Sequence, residues 1–386
     1  MTLNILVAPS GFKESLDVDD VVAAISEGCR RALPECTILK APMVDGGEGF
    51  TKALVNATGG KLHEIMVTGP VGQTVSSFFG MLGGKDRRTA VIEMAAAAGL
   101  SLVPRDQRDP TRTTSYGVGE LILAALDAGA KRILIGCGDS GINDGGAGMA
   151  QALGARLLDA NNICIGRGGA ALANLSRIDI SGLDPRLRET QIDAAVNWHN
   201  VLLGDRGVAR VFGPQKGATP RQVQSLEEAL EIYALLLNRD LDLDLGHRNG
   251  SGASGGLGTG LIAFAGARLH PRFNIVMQYL EFDSLLKSAD LVITAEGALD
   301  GQSPFGKVPC EVAQRARKRN IPTIALAGTI GSGVCETFET GIDAFASILK
   351  RPCTLEDAIS DAGKLLRNAS EDALRMVLVG SRLKVA

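Results

Sequence analysis

Aromatic side chains are scarce in this sequence. Phe, Tyr and Trp make up 4% of the 386 residues, and there is one Trp. Proteins that bind single-stranded nucleic acid stack the bases on aromatic side chains, so this composition argues against that class. The charges also nearly cancel, with 40 Lys and Arg against 43 Asp and Glu. We therefore expect no nucleic-acid-binding surface as the main function.

The seven cysteines follow no recognisable pattern. Their number is odd and no Cys-x-x-Cys pair occurs, which predicts neither a zinc site nor a disulfide framework. The pattern is typical of reduced thiols in a cytoplasmic protein, each a small buried apolar side chain. None of the four histidines has metal-ligand spacing. The most apolar stretch, Val91–Val103, contains Glu93 and is shorter than the ~18 residues of a membrane span.

Glycine is the residue in excess. The chain has 48 glycines in 386 residues, where ~7% is usual. Proline is not enriched and there is no collagen period, so the glycines indicate loops that turn tightly or let the backbone approach a ligand. At about 150 residues per domain, the length predicts two to three domains.

Short apolar strands alternate with amphipathic helices. The predicted strands are Leu3–Ala8, Ile38–Val44, Ala90–Met94, Arg132–Gly136, Leu291–Ala295 and Thr323–Ala327. The predicted helices are one capped by Asp17, one around Val118–Leu126, and the runs Arg221–Leu237 and Val308–Arg319. This alternation is typical of an α/β protein with parallel sheets covered by helices. Because the C-terminal third repeats the strand, glycine loop and helix of the N-terminal part, we predict a middle domain inserted into a split α/β domain.

One glycine motif occurs twice. Asp45-Gly-Gly-Glu-Gly49 follows a predicted strand, and Asp144-Gly-Gly-Ala-Gly148 lies in the loop after another; each precedes a helical pattern. Successive glycines let backbone N–H groups surround an anion, and a helix start adds its positive end. The leading Asp is then placed to hold Mg²⁺ or to accept a proton. The alternative is structural: the Asp caps the helix and the glycines make the turn.

Two further strings match Gly-x-Gly-x-x-Gly. Gly136-Cys-Gly-Asp-Ser-Gly141 follows a strand, but no helix opens at once as a dinucleotide fingerprint requires. Asp159 stands roughly where a ribose-binding acid would, which leaves an oxidoreductase as an alternative. The second string begins at Gly250 and continues to Gly260. It predicts either a nucleotide or phosphate loop that opens a helix at Leu261, or a tight structural turn.

A third string resembles a P-loop. Gly301-Gln-Ser-Pro-Phe-Gly-Lys307 is followed by Val308, where a P-loop has the Ser or Thr that binds Mg²⁺. A P-loop NTPase is therefore not predicted. Glu296 and Asp300 precede this string on the loop that leaves a strand. Two carboxylates beside a lysine and a helix start are what Mg²⁺-dependent phosphoryl transfer needs.

The first strand-to-helix loop carries Ser10-Gly-Phe-Lys13. In open α/β sheets such loops lie at the edge where ligands bind. Lys13 is therefore a candidate for neutralising a phosphate or a carboxylate. The alternative is a solvated surface lysine.

Taken in order, these segments resemble the bacterial glycerate kinase family. The matching strings are Ala8–Leu16, Asp45–Gly49, Thr114–Gly117 with Gly119-Glu120, Asn143–Gly148, Val211–Gly217, Gly252–Gly258, and Glu296–Gly301 with Gly306-Lys307. Each is weak alone, but seven in order are specific. The resemblance implies a Rossmann-like domain built from both chain ends (1–70 and 285–386), an inserted α/β domain (71–284), and an active site in the cleft between them.

The resemblance also implies a reaction. It is the transfer of phosphate from ATP to D-glycerate, with Mg²⁺ as cofactor and ADP and 2-phosphoglycerate as products. On this interpretation the catalytic residues are Asp45, Asp144 and Lys13, and the base and metal roles of the two Asp residues stay open. The residues expected to bind substrate are Ser10, Arg112, Thr114, Ser115 and Asn143. Those expected to bind the nucleotide are Gly252, Gly255, Gly256, Gly258, Gly306 and Lys307. Those expected to hold Mg²⁺ are Asp45, Glu296 and Asp300.

Several positions depart from the family pattern. The family usually has Arg at Ala298, Gly at Asp139, Asp at Asn197 and Pro at Val201, and Trp198 adds unusual bulk. These changes keep two alternatives open: a kinase for another hydroxy acid or a natural-product acceptor, and a non-catalytic nucleotide-binding protein. We expect small-molecule partners and neither nucleic acid nor membrane. The sequence is compatible with a homodimer.

Overall fold

The computed structural model describes residues 3–12, 15–84, 87–304 and 306–382. Within them the strands are β1 (Asn4–Val7), β2 (Thr37–Lys40), β3 (Lys61–Thr68), β4 (Thr74–Met81), β5 (Thr89–Glu93), β6 (Arg132–Gly136), β7 (Arg156–Leu158), β8 (Arg177–Asp179), β9 (Gln191–Val196), β10 (Arg268–Pro271), β11 (Leu291–Leu299), β12 (Thr323–Ile330) and β13 (Ala344–Ser347). The helices are α1 (Val18–Ala32), α2 (Phe50–Thr58), α3 (Ala95–Ala98), α4 (Tyr116–Asp127), α5 (Ala147–Ala152), α6 (Val208–Phe212), α7 (Pro220–Leu241), α8 (Ala253–Ala265), α9 (Arg272–Tyr279), α10 (Phe282–Lys287), α11 (Val308–Arg317), α12 (Leu355–Ser360) and α13 (Ala362–Gly380).

All six predicted strands and all four predicted helices are present. β6 has the predicted bounds, whereas β2 ends at Lys40 instead of Val44, although the N–H groups of Ala41 and Met43 still donate to the Val7 and Pro9 oxygens of the neighbouring chain segment. Asp17 caps α1 as predicted, since its side chain accepts a hydrogen bond from the Asp20 N–H. The helix expected to begin at Leu261 begins earlier: α8 spans Ala253–Ala265, and its regular part starts at Leu257, after the non-helical residues Ser254, Gly255 and Gly256.

The chain divides into two compact units. The first contains the described residues up to Val44 and from Val276 onward. Its sheet has the order β13-β12-β11-β1-β2 and is parallel throughout. Numbered within this unit the order is 2-1-3-4-5, which is that of flavodoxin-like doubly wound sheets. Its core lies between this sheet and the packed helices α1 and α13.

The second unit spans Asp45–Ile275. Its six-stranded sheet has the order β10-β9-β6-β5-β4-β3. The four strands from β10 to β5 are parallel, and the hairpin β3–β4 joins them antiparallel. Helices α4 and α8 contribute to the core on this sheet, and α7 to a second cluster that includes the fully buried Tyr233. The sequence analysis predicted parallel sheets only, so the hairpin is an addition.

The chain passes between the two units at residues 44/45 and 275/276 in the structure. The sequence analysis places these boundaries at 70/71 and 284/285. The physical reason at the first limit is β3, which pairs along its whole length with β4, from Lys61 opposite Met81 to Thr68 opposite Thr74. A division after residue 70 would cut through this hairpin.

All seven cysteines are free thiols. Burial raises the pKa of Cys29 and Cys137 to about 12, so both behave as the predicted apolar side chains. The prediction that every cysteine is buried is wrong, because Cys164, Cys335 and Cys353 are exposed. In the part of the chain that the structure describes, no helix has the length and apolar character needed to cross a membrane.

Candidate active site

Two parallel strands of the second unit, β6 and β9, end on loops at one edge of the sheet, and the loop after β6 carries the predicted site residues Asn143 and Asp144. β6 is followed by Cys137–Gly146, and β9 by Asn197–Leu202. The Asp45–Gly49 loop lies on the same edge, because a Cβ on Gly46 would come within 3.0 Å of the Cys137 nitrogen and 3.3 Å of the Ala195 oxygen. Ligands of open α/β sheets bind at this carboxyl edge.

Asp45 is an accessible carboxylate of this edge. Half of its side chain (49%) is exposed. Its Oδ2 accepts a hydrogen bond from Nη1 of Arg272 at 3.3 Å, and its Oδ1 accepts one from the Gly47 N–H at 3.3 Å. The sequence analysis missed Arg272 because the four-residue strand before it, β10, gives too short a pattern to be recognised.

The N–H groups of the first glycine motif already have acceptors in the protein. The Glu48 N–H donates to Oδ2 of Asp139 at 2.9 Å. The Thr51 and Gly49 N–H groups donate to the buried carboxylate of Glu93. Burial raises the pKa of Glu93, and these hydrogen bonds oppose the rise. Protein carboxylates thus cap α2, where the sequence analysis expected an anion from solution.

Asp144 has no exposed surface. Its Oδ2 accepts hydrogen bonds from the N–H and Oγ of Ser115 at 2.8 and 2.9 Å and from the Gly148 N–H at 3.2 Å. Its Oδ1 accepts from the Gly146 N–H at 3.1 Å, and Oγ1 of Thr114 lies 3.5 Å from Oδ2. Burial raises the pKa of Asp144, and the hydrogen bonds from Ser115 and the glycines oppose it. In the second glycine motif the Asp therefore caps α5 and ties it to the start of α4.

Asp144→Asn is expected to destabilise the fold. An amide keeps one acceptor oxygen and turns an N–H₂ group toward donors, so buried N–H groups lose their partner. We expect the free energy of unfolding to fall by about 1.5–3 kcal/mol. Urea denaturation of the two proteins measures this. Asp159→Asn is the matched control, because Asp159 also accepts two backbone N–H bonds but in an exposed loop; an equal loss in both variants would contradict the interpretation.

Lys216 is a buried lysine next to the predicted site residues Asn143 and Asp144, and the sequence analysis quoted it in a motif without assigning it a role. The turn Pro214–Lys216 sends its side chain into the loop after β6, where Nζ donates to Oγ of Ser140 at 2.9 Å and to the Ile142 oxygen at 2.6 Å. Its side chain is buried. Burial lowers the pKa of Lys216 to about 7, and the neighbouring Asp144 carboxylate opposes the shift. Lys216 therefore fixes the loop that leads to Asn143 and Asp144.

Asn143 is a buried polar side chain without hydrogen-bond partners for its amide group. It has no exposed surface, and neither its amide oxygen nor its amide nitrogen has a hydrogen-bond partner. The hydroxyl of Tyr233 is also buried without a partner. Buried polar groups are nearly always hydrogen-bonded, so these atoms stand out. They agree with a binding role for Asn143, which stays a prediction.

The glycines at the start of α8 pack against the protein's own backbone. A Cβ on Gly252 would lie 2.0 Å from the Val201 oxygen, and one on Gly255 would lie 2.0 Å from the Ile142 oxygen. Ser254, Gly255 and Gly256 have φ of 51°, 73° and 86°. A tight structural turn, the alternative left open by the sequence, accounts for these glycines. Contact of Gly252, Gly255, Gly256 and Gly258 with a nucleotide stays a prediction.

The remaining predictions for the second unit have mixed outcomes. Thr114 and Ser115 are buried beside Asp144, whereas Arg112 is exposed. The bulk of Trp198 packs against the core cluster under the sheet. Oδ1 of Asn197 accepts a hydrogen bond from the His199 N–H at 3.3 Å.

A separate group of predicted residues lies in the first unit, where β1 and β11 are neighbours. This is the point at which the strand order reverses, and ligands bind there in doubly wound sheets. The N–H and Oγ of Ser10 both donate to the Ala295 oxygen. Nζ of Lys307 donates to Oδ1 of Asp300 at 3.1 Å and to the Ala298 oxygen at 3.2 Å. Lys13 lies outside the described residues.

The Lys307–Asp300 pair has an open surface beside it. The Lys307 ammonium holds the pKa of Asp300 below its usual range. Gly306 has φ of 94° and no atom within 4 Å of a Cβ position. A groove of about 470 Å³ runs past Asp300 and Glu336. Among the described residues, no three His, Cys, Asp or Glu side chains are grouped to hold a metal. Mg²⁺ in kinases takes one or two carboxylates and completes its shell with phosphates and water, so Asp300 fits that role.

Comparisons with known proteins agree with the sequence motifs. The sequence model of the glycerate kinase family matches residues 5–378. The "Glycerate kinase" of Bacillus subtilis strain 168 is 46% identical over 370 residues, which is 96% of each chain. The "Glycerate 2-kinase" of Escherichia coli K12 is 45% identical, over 98% of this chain and 99% of its own. A crystal structure assigned to glycerate kinase 2 of Salmonella typhimurium LT2 has a TM-score of 0.89 at 46% identity and covers 99% of this chain and 100% of its own. Because relatives that are 45–46% identical match almost the whole chain, the protein belongs to the glycerate kinase family and is an enzyme.

Proposed function

We propose that this protein transfers the γ-phosphoryl group of ATP to the 2-hydroxyl of D-glycerate. ADP and 2-phosphoglycerate are the products. The names of the relatives and the family membership support the substrate. The observation that carries the chemistry is Asp45, a half-exposed carboxylate at the carboxyl edge of a parallel sheet. ATP as the donor and the seven free thiols suit a reducing cytoplasm.

Asp45 is the general base of this proposal. The acceptor oxygen attacks the γ-phosphorus, and its proton passes to the Asp45 carboxylate. A new O–P bond forms while the bond between the γ-phosphorus and the β–γ bridging oxygen breaks, and its electron pair leaves with ADP. In this proposal Asp144 is a positioning residue, since it is buried and accepts four hydrogen bonds of 2.8–3.2 Å from Ser115, Gly146 and Gly148. Asn143, the next residue along the chain, is thereby held in place.

The groups proposed to meet the nucleotide phosphates lie in the first unit. Lys307 supplies a positive charge, and Gly306 leaves the backbone open next to it. Asp300, with Glu296 on the preceding strand β11, would hold Mg²⁺. When bound, Mg²⁺ would neutralise charge on the phosphate oxygens.

The first experiment incubates the purified protein with ATP, Mg²⁺ and D-glycerate and identifies the products by ³¹P NMR. We expect ADP and 2-phosphoglycerate. A signal of 3-phosphoglycerate would contradict the assigned hydroxyl. ATP binding without transfer to glycerate or to any of a panel of larger hydroxy acids would contradict kinase activity altogether and favour a nucleotide-binding role.

Lys307→Met is expected to weaken ATP binding. The variant loses a charge-assisted contact to phosphate, which is worth roughly a 10- to 100-fold rise in the KM for ATP. The KM for glycerate should stay within about twofold. Steady-state kinetics measure both, with the exposed Lys287→Met as the matched control. An unchanged KM for ATP would remove Lys307 from the phosphate site.

A further inference from the structure

One cation stands next to the proposed base, and none of the predicted roles includes it. Arg272 follows β10 directly, so it lies at the carboxyl edge of the sheet in the second unit. Its Nη1 is 3.3 Å from Oδ2 of Asp45. One third of its side chain (33%) is exposed, and its guanidinium lies over the Phe273 ring at 4.8 Å. The arginine is thus oriented by an aromatic ring and reachable from solution.

The contact between Arg272 and Asp45 leaves the guanidinium suited to a second anion. Charge-assisted N–H to carboxylate bonds measure roughly 2.7–2.9 Å, so the 3.3 Å contact is long. A guanidinium has five N–H donors in a planar fork, and that fork matches a carboxylate in a bidentate pair. The contact with Asp45 uses one nitrogen of the fork.

The residues around Arg272 and Asp45 carry an excess of negative charge. Asp45, Glu48 and Asp139 all lie on the two loops that meet here, and the Asp139 carboxylate bonds to the Glu48 N–H. Three carboxylates would repel an anionic acceptor. An arginine among them offsets this repulsion and gives the acceptor carboxylate a geometric partner.

We propose that Arg272 binds the carboxylate of the acceptor and, with Asp45 beside it, makes this site specific for 2-hydroxy carboxylates. The inference rests on the proposed function and deepens it. In a 2-hydroxy acid the hydroxyl sits on the carbon bonded to the carboxylate, so an acid held by Arg272 presents that hydroxyl to the adjacent Asp45. A 3-hydroxyl is one carbon further away. Arg112, which the sequence analysis expected to bind substrate, is not given this carboxylate-binding role here, because Arg272 is the arginine bonded to Asp45.

The test separates the charge of the acceptor from its shape. We compare D-glycerate with glyceramide, in which an uncharged amide replaces the carboxylate. In Arg272→Met, kcat/KM for glycerate should fall roughly 10- to 100-fold, whereas the value for glyceramide should change less than about threefold. Arg272→Lys keeps the charge but loses the fork, so it should be intermediate. The control is Arg268→Met, an exposed arginine at the other end of β10, which should behave as wild type.

A second pair of acceptors tests the position of the hydroxyl. Lactate carries only a 2-hydroxyl and 3-hydroxypropionate only a 3-hydroxyl. The wild type should phosphorylate lactate faster, and Arg272→Met should lose that preference. Equal losses for glycerate and glyceramide in Arg272→Met, or an unchanged preference for lactate, would overturn the inference.

Direct binding keeps the inference separate from the proposed function. Calorimetry with D-glycerate alone needs no turnover. If the wild type binds glycerate and Arg272→Met does not, Arg272 is the carboxylate residue even in a protein that fails to phosphorylate glycerate. If both bind it equally, the inference is overturned while the kinase activity can still stand. Thermal melting of both arginine variants verifies that they are folded.

Discussion

Asp45→Asn is expected to lower kcat by about 100- to 10,000-fold, because general-base catalysis typically contributes that much. The asparagine keeps the size of the side chain and can still accept from the Gly47 N–H, so the loop should keep its conformation. What it loses is the ability to take the proton of the attacking hydroxyl. Steady-state kinetics with D-glycerate measure kcat, and the Tm verifies the fold.

The split between kinetic constants makes this prediction specific. Because the proposal places Asp45 beside the acceptor, the KM for ATP should stay within about threefold of the wild type. Asp205→Asn is the matched control, since that carboxylate is fully exposed and pairs with Arg210 at 3.7 Å. If kcat falls by less than about fivefold in Asp45→Asn, another residue must be the base. A rise in the KM for ATP with kcat unchanged would place Asp45 among the nucleotide or metal groups instead.

The elements with a local pattern were predictable from the sequence. α1 has an N-cap, a regular apolar face and basic residues in its last turn, and it begins where Asp17 predicts. β6 is a continuous apolar run between charged and glycine-rich neighbours, and its bounds agree to the residue. Both depend on residues within one element, so no distant contact is needed to recognise them.

The elements that depend on distant partners were not predictable. β10 has four residues and exists as a strand because it pairs with β9, some 75 positions earlier in the chain. Arg272 and the pair that it forms with Asp45 were missed for this reason, since 227 positions separate them. Nothing in the local sequence around either residue indicates the other.

The glycine motifs show why spacing alone does not assign a role. The pattern Asp-Gly-Gly-x-Gly predicted two similar anion sites. In the structure Asp144 is buried and caps its own helix, whereas Asp45 is half exposed and another carboxylate, Glu93, caps the helix that follows it. The same five-residue pattern therefore has two different uses, and burial, which the pattern does not encode, decides between them.

Lys216→Met is expected to change how stability depends on pH. Burial lowers the pKa of Lys216 to about 7 in the folded protein, against about 10.4 in an unfolded chain. Between these values the unfolded chain binds one more proton than the folded one. The contribution of Lys216 to the free energy of unfolding of the wild type therefore increases as the pH rises from about 7 to 10. It is lost again as the pH falls through the same range. Methionine does not titrate, so the variant lacks this contribution.

The difference between wild type and variant isolates Lys216. Its buried neighbours are the same in both proteins, so most of their own titration cancels in the difference; burial raises the pKa of Asp144 above its usual range and that of Tyr233 well above 10. Urea midpoints at pH 7, 8.5 and 10 should therefore move apart, with the wild type gaining on the order of 1 kcal/mol per pH unit over Lys216→Met. Parallel curves would mean that the Lys216 amine stays protonated while it donates to Ser140 and Ile142.

The Lys216→Met variant should also lose roughly 100-fold in kcat. The loop that carries Asn143 loses both hydrogen bonds from Nζ, and a small displacement of a positioned group typically costs about that much. A variant that keeps its kcat while its stability changes as expected would make Lys216 a structural residue alone.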